Sequence, residues 1–185
     1  MHLKKTVAII GIEGNGCGGG LRHVLESFGY LVVMYWVGRP QHFIDILAGK
    51  MITKFDFIVI KCHGDDGDII MPELAEHIYF PDEPRGNFGF NEINKYLALE
   101  DTCIINTGCS TGVETMAKAF VKNNNIYIAP NNDIEGDSGL VFVVLFFYYL
   151  SSKYDLDIET AHKKASSLDS ETNLYVLRLK KHFQR

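Results

Sequence analysis

Apolar residues fall along this chain in short unbroken runs, set apart by stretches where they return every third or fourth position. The first kind of run reads as a strand buried on both faces, the second as a helix with one buried stripe. Thr6–Gly11 is a continuous apolar run closed by glycine and predicts a central strand. Leu21, Val24, Leu25 and Phe28 recur at helical spacing, and Gly29 supplies a C-terminal stop. Tyr30–Trp36 predicts a second strand. Gly38-Arg39-Pro40 turns the chain into a short helix striped by Phe43, Ile44 and Leu47, and Phe55–Cys62 predicts a third strand.

The alternation breaks after His63. From Gly64 to Asn91 the chain carries Asp65, Asp66, Gly67, Asp68, Pro72, Pro81 and Pro84, a turn-rich composition, with a small hairpin expected around Ile69–Met71 and Ile78–Phe80. An excursion this long inside an α/β unit is more often functional than idle. Strands resume at Thr102–Asn106 and Ile126–Ala129, the latter stopped by Pro130. Between them lie helices at Phe90–Leu99, with Asn91 as N-cap, and at Val113–Lys122. Leu140–Leu150 reads as a buried helix; its valine and aromatic content leaves a strand open, and its length favours the helix. Asp157–Leu168 is amphipathic and predicts a surface helix. Asn173–Phe183 has no usable periodicity. Strands alternating with helices imply α/β crossovers and a mostly parallel sheet covered on both faces.

The 185 residues suit one domain, 1–185, with enough chain for a core. A hydrophobic share of 46% and a charged share of 22% exclude a disordered chain. A net charge of −5 offers no basic field for nucleic acid, and Arg178, Lys180, Lys181 and Arg185 read as a solvated end. Lys4 and Lys5 precede an apolar run too short for a secretory signal. The longest apolar run, Leu140–Leu150, falls short of the roughly 18–20 residues of a membrane span. A cytoplasmic protein with no membrane or nucleic-acid partner is therefore expected. None of Cys17, Cys62, Cys103 and Cys109 shows zinc-type spacing, so reduced thiols without metal or cofactor are expected.

Two strand ends carry chemistry. Ile104-Ile105-Asn106-Thr107-Gly108-Cys109-Ser110-Thr111-Gly112 is a strand running into a glycine-bracketed loop with a cysteine at its tip. Phe57-Ile58-Val59-Ile60-Lys61-Cys62-His63-Gly64 is a strand ending on His-Gly. In parallel sheets, sites gather at the carboxyl ends of strands. Cys109, just before an expected helix start, gains thiolate character from the helix N-terminus and is the candidate nucleophile. His63 is the candidate general base and acid. Backbone N–H groups of Gly64 and of the Thr107–Gly112 loop, including Gly108, are candidate oxyanion donors. Asn106, Asp65 and Asp66 are candidates for a third, orienting residue. Cys62 and Cys103 read as core, and Cys17 sits in a glycine loop.

Strands ending in His-Gly and then Gly-Cys, in that order, resemble the caspase-like cysteine peptidases, most closely the CHAT group. Leu21 to Tyr35 is similar to that family's first helix and second strand, Phe55–Gly64 to its histidine strand, and Asn106–Gly112 to its cysteine loop. The helix at Met116–Ala119, the strand at Ile126–Pro130, Phe147–Leu150 and Ala161 follow its downstream rhythm. The resemblance implies a three-layer αβα sandwich. It also implies a His63–Cys109 dyad, an oxyanion hole from the Gly64 and Cys109 N–H groups, and peptide or protein substrates. An activating protein partner is a further expectation. In a peptidase, Asp133, Glu135 and Asp137, after the fifth strand, would select basic side chains by charge pairing.

Other readings compete. Gly14-Asn15-Gly16-Cys17-Gly18-Gly19 matches a dinucleotide-binding glycine pattern, but the second strand ends without the acidic residue such a site needs. An amidotransferase would need a histidine after its cysteine, and the one near a predicted strand or helix end, His162, sits within a surface helix pattern. His63, Asp65, Asp66, Asp68 and His77 lie close in sequence, and the aspartates read more simply as a turn. A catalytically silent scaffold or binding module of the same fold is the remaining alternative.

Overall fold

The computed structural model describes residues 5–12, 18–51 and 54–183. The chain runs β1 (Thr6–Ile12), α1 (Gly18–Ser27), β2 (Leu31–Val37), α2 (Pro40–Leu47) and β3 (Phe57–Lys61). A two-strand excursion follows, β4 (Gly64–Asp65) and β5 (Asp68–Ile69). Then come α3 (Phe90–Tyr96), β6 (Cys103–Asn106), α4 (Glu114–Phe120), β7 (Ile126–Pro130), α5 (Gly136–Leu150), α6 (Ile158–Ala165) and β8 (Tyr175–Arg178). Six strands form one sheet in the order β2-β1-β3-β6-β7-β8, parallel except for β8 against β7.

Successive residues of a strand face opposite ways, and here both faces are buried. Val7, Ile9, Phe57, Val59, Cys103 and Ile105 pack against α1, α5 and α6. Ala8, Ile10, Ile58, Ile60, Ile104 and Tyr127 pack against α2, α3 and α4. The result is the expected three-layer αβα sandwich with a mostly parallel sheet. Phe142, Phe146 and Phe147 of α5 are fully buried; burial of each contributes about 1.5–3 kcal/mol. Among the described residues, no helix is long and apolar enough to cross a membrane.

The differences from the sequence pattern have local causes. The hairpin sits at β4–β5, not at Ile69–Met71 with Ile78–Phe80, because Asp66 and Gly67 take positive φ (47° and 87°) and close a two-residue turn. Ile69 then bridges Phe88, while Glu76–Ile78 is a single 3-10 turn. α3 ends at Tyr96 and starts after Gly89, whose N–H donates to Glu92 Oε2 at 3.1 Å, so Asn91 lies inside the helix. α5 is a helix but begins at Gly136, so Asp137 belongs to its first turn rather than to a loop. The patternless tail contributes the antiparallel edge strand β8, whose short apolar stretch is ordered by pairing with β7.

One buried ion pair pins the excursion. Arg39, at the head of α2, donates to both oxygens of Glu83, and its guanidinium stacks 3.4 Å from the Phe80 ring centroid. Glu83 also accepts from the N–H groups of Gln41 (2.7 Å) and Phe80 (2.9 Å). These bonds, the Arg39 bond foremost, hold its carboxyl down to about 2 from an ordinary 4.5. A carboxyl depressed in the fold stabilises it above the unfolded pKa, and that stabilisation is lost as pH falls from 4.5 through about 2. Glu83→Gln is therefore expected to lower the urea midpoint near neutral pH, with the gap to the wild type closing across that acid window. A gap independent of pH would show that the pair does not hold the excursion.

Candidate active site

β3 and β6 are neighbours in register, with Ile60 opposite Asn106, and Thr107 N–H donates to the Ile60 carbonyl at 3.0 Å. His63 and Cys109 each follow three residues beyond that pair. Beyond the strands the two exit loops lie backbone against backbone. A Cβ on Gly64 would stand 2.2 Å from the Cys109 carbonyl oxygen and 2.9 Å from the Cys109 nitrogen. A Cβ on Gly108 would stand 2.9 Å from Cys62 Sγ and 3.2 Å from the Gly64 nitrogen. Neither position has room for a side chain, so glycine is what allows the loops to touch.

His63 and Cys109 line one cavity of about 240 Å³. It opens over the carboxyl ends of β3 and β6, with Leu21, Leu140 and Val143 as apolar wall and Glu135 on its margin. Cys109 is half-buried, its Sγ 3.4 Å from the Ile134 carbonyl, while His63 is exposed.

The cysteine loop is held by its own hydrogen bonds. Asn106 Oδ1 accepts from the Gly108 N–H (2.9 Å) and the Cys62 thiol (3.2 Å), and its Nδ2 donates to Tyr127 Oη (3.2 Å). Tyr127 donates onward to the Thr111 carbonyl (3.0 Å), and Thr111 Oγ1 to the Gly108 carbonyl (2.7 Å). Tyr127 stacks on Phe120 at 4.4 Å. The network is buried throughout, where leaving any member unpaired is costly. Ser110 takes φ 57°, and its N–H reaches the Asn132 carbonyl.

Several sequence expectations are corrected by this geometry. Four residues separate Cys109 from α4, so that helix does not start directly after it; the tight turn Gly108–Thr111 and the Gly112 N–H to Pro130 carbonyl bond delay the helix. The Gly108 N–H, offered as an oxyanion donor, is already spent on Asn106. Of the N–H groups from Thr107 to Gly112, that of Cys109 alone has no acceptor among the described residues. Asn106 holds the cysteine loop through Gly108, Cys62 and Tyr127. Asp133 accepts from Ser110 Oγ at 2.8 Å, and Asp137 accepts from the N–H of Ser138; neither lines the cavity, whereas Glu135 does. His162 on α6 contacts the Tyr175 carbonyl at 2.9 Å and is not part of the cavity lining. Among the described residues, no three His, Cys, Asp or Glu side chains come together as metal ligands. Cys17 and most of the Gly14–Gly19 pattern lie outside the described residues.

Burial pushes the Cys62 thiol up to about 12 and raises Cys103 as well, so both stay protonated and inert. Missed from the sequence were Ile134 and the Asn106–Tyr127–Thr111 network. Tyr127 reads simply as a strand residue, and nothing local marks its hydroxyl.

No family model matches the chain, and no curated protein matches it. Among solved structures it is similar to a secreted C11 cysteine protease from Bacteroides thetaiotaomicron, in complex with an irreversible peptide inhibitor. Identity is 10% and the TM-score 0.46, over 91% of this chain. The chain spans 63% of the length of that protease chain. Similarity at that level bears on neither the activity nor the site.

Asn106→Ala is expected to lower stability by about 3 kcal/mol, from orphaned buried partners and a small void. Denaturant titration measures this, and a loss below about 1 kcal/mol would mean the network is dispensable.

Proposed function

We propose that the chain is a cysteine peptidase of caspase-like type, with Cys109 as nucleophile and His63 as proton carrier. What supports this reading is that the two residues most suited to the chemistry stand at level ends of adjacent parallel strands and line one cavity. His63 takes the Cys109 proton as the sulfur attacks the scissile carbonyl carbon. The Cys109 N–H and the Gly64 N–H donate to the oxygen that gains charge. His63 then protonates the leaving amine. Water, deprotonated by the same imidazole, attacks the thioester, releasing the carboxylate product and restoring the thiol. α4 does not start directly after Cys109, so activation of the thiol is assigned to His63.

Substrates are peptides or proteins, and Glu135 on the cavity margin favours a basic side chain there. The likeness to the CHAT group, the extent of the unit over 1–185, an activating partner and a cytoplasmic setting belong to this proposal as expectations carried by the sequence.

Iodoacetamide labelling at neutral pH, followed by mass spectrometry, tests it. Cys109 is expected to react well ahead of Cys62 and Cys103. Exposure alone would give that order, so the deciding arm is His63→Ala, expected to slow Cys109 by roughly tenfold or more. An unchanged rate in that variant would sink the dyad.

A further inference from the structure

Behind the cavity wall stands a polar group that the chemistry above does not use. Tyr175 opens β8, is 2% exposed, and its hydroxyl has no hydrogen-bond partner among the described residues. The residue is otherwise tightly held. Its ring stacks on Phe142 of α5 at 3.7 Å and an interplanar angle of 4°, and its carbonyl meets His162 Nε2 at 2.9 Å. A hydroxyl fixed this firmly and left unpaired is costly.

Its surroundings point to a use. The place where a Cβ on Gly139 would stand is 3.2 Å from Tyr175 Oη, 3.3 Å from Ile134 Cδ1 and 3.8 Å from Thr107 Cβ. Gly139, Ile134 and Thr107 all line the cavity that holds Cys109. Gly139 thus puts no side chain between the cavity and the hydroxyl, which stands behind the wall. Around Gly139 the wall is apolar, from Leu21, Leu140 and Val143, and Glu135 marks the margin.

We propose that Tyr175 is a specificity-determining residue of the cavity: its hydroxyl hydrogen-bonds the polar tip of an unbranched peptide side chain whose methylene stem lies along the apolar wall. This rests on the peptidase reading. Side chains of this kind bury the stem and keep the tip paired. A pocket with a buried hydrogen-bonding group rejects an isostere that leaves the group unpaired far more strongly than a purely apolar pocket rejects a size change. Burial raises the Tyr175 pKa, so the hydroxyl keeps its proton and both donates and accepts. Charge is read separately by Glu135; Tyr175 reads the presence of a polar tip.

Benzyloxycarbonyl-capped vinyl sulfones of lysine, glutamine and norleucine test this. The Cys109 sulfur adds to the β-carbon, the double bond is lost, and a proton goes to the α-carbon, so the rate reports thiol and cavity together without turnover. In the wild type the lysyl and glutaminyl probes are expected to modify Cys109 about tenfold or more faster than the norleucyl probe. Tyr175→Phe keeps the Phe142 stack and is expected to bring both rates down toward the norleucyl rate, with a melting midpoint unchanged or raised. Gly139→Ala, which covers the hydroxyl, is expected to do the same. Glu135→Gln is expected to slow the lysyl probe alone.

A preference retained in Tyr175→Phe, no preference in the wild type, or a lowered midpoint with all three rates falling together would overturn the proposal. The peptidase reading fails separately, on His63→Ala leaving all three rates unaltered, in which case the rate ratios still judge Tyr175.

Discussion

Two loops leave adjacent strands and rest on each other through Gly64 and Gly108, and the geometry of the site follows from that contact. β3 and β6 pair in parallel with their ends level, so the chain has to leave both strands at the same height. A side chain at either glycine would drive the loops apart, since the Cβ sites lie 2.2 Å from the Cys109 carbonyl oxygen and 2.9 Å from Cys62 Sγ. His63 and Cys109 are therefore placed by sheet register and backbone contact. A slip of one residue would turn every side chain of a strand to the opposite face and end the arrangement.

The two sides of the sheet divide the work. On the α2–α3–α4 side the core is closed, and the network from Asn106 through Tyr127 to Thr111 fixes the cysteine loop from beneath. On the α1–α5 side the packing stops short of the strand ends and leaves the cavity. α5 serves both purposes. Its Phe142, Phe146 and Phe147 fill the core, while its polar, glycine-containing start forms cavity wall. The Arg39–Glu83 pair acts at a distance, tying the excursion that begins at Gly64 to the loop after β2.

Burial separates the cysteines by place rather than by residue type. Cys103 lies inside β6 and Cys62 just past the end of β3, both buried, where desolvation disfavours the thiolate. Cys109 stands on a loop at the cavity, half-exposed. Cys62 is the immediate neighbour of His63 in the chain, yet it is buried in the core and its thiol donates to Asn106.

By itself the sequence determined the layered α/β architecture, the five parallel strands, the helical state of Leu140–Leu150 and the placing of His63 and Cys109 at strand exits. Those features are written in local periodicity, because a strand buried on both faces must be apolar throughout and a surface helix must keep a stripe. Asp66-Gly67 was likewise legible as a turn, since positive φ has its own residue preferences. Only the tertiary structure decided that Gly108 spends its N–H on Asn106, that Glu135 rather than Asp133 or Asp137 borders the cavity, and that the tail supplies β8 and Tyr175. Each of these depends on partners distant in sequence: Tyr175 on Pro130, Phe142 and Gly139, and Asn106 on Cys62 and Tyr127. A hydrogen bond or a stack between residues far apart leaves no periodic trace in either segment, so it becomes visible only when the sheet brings the two together.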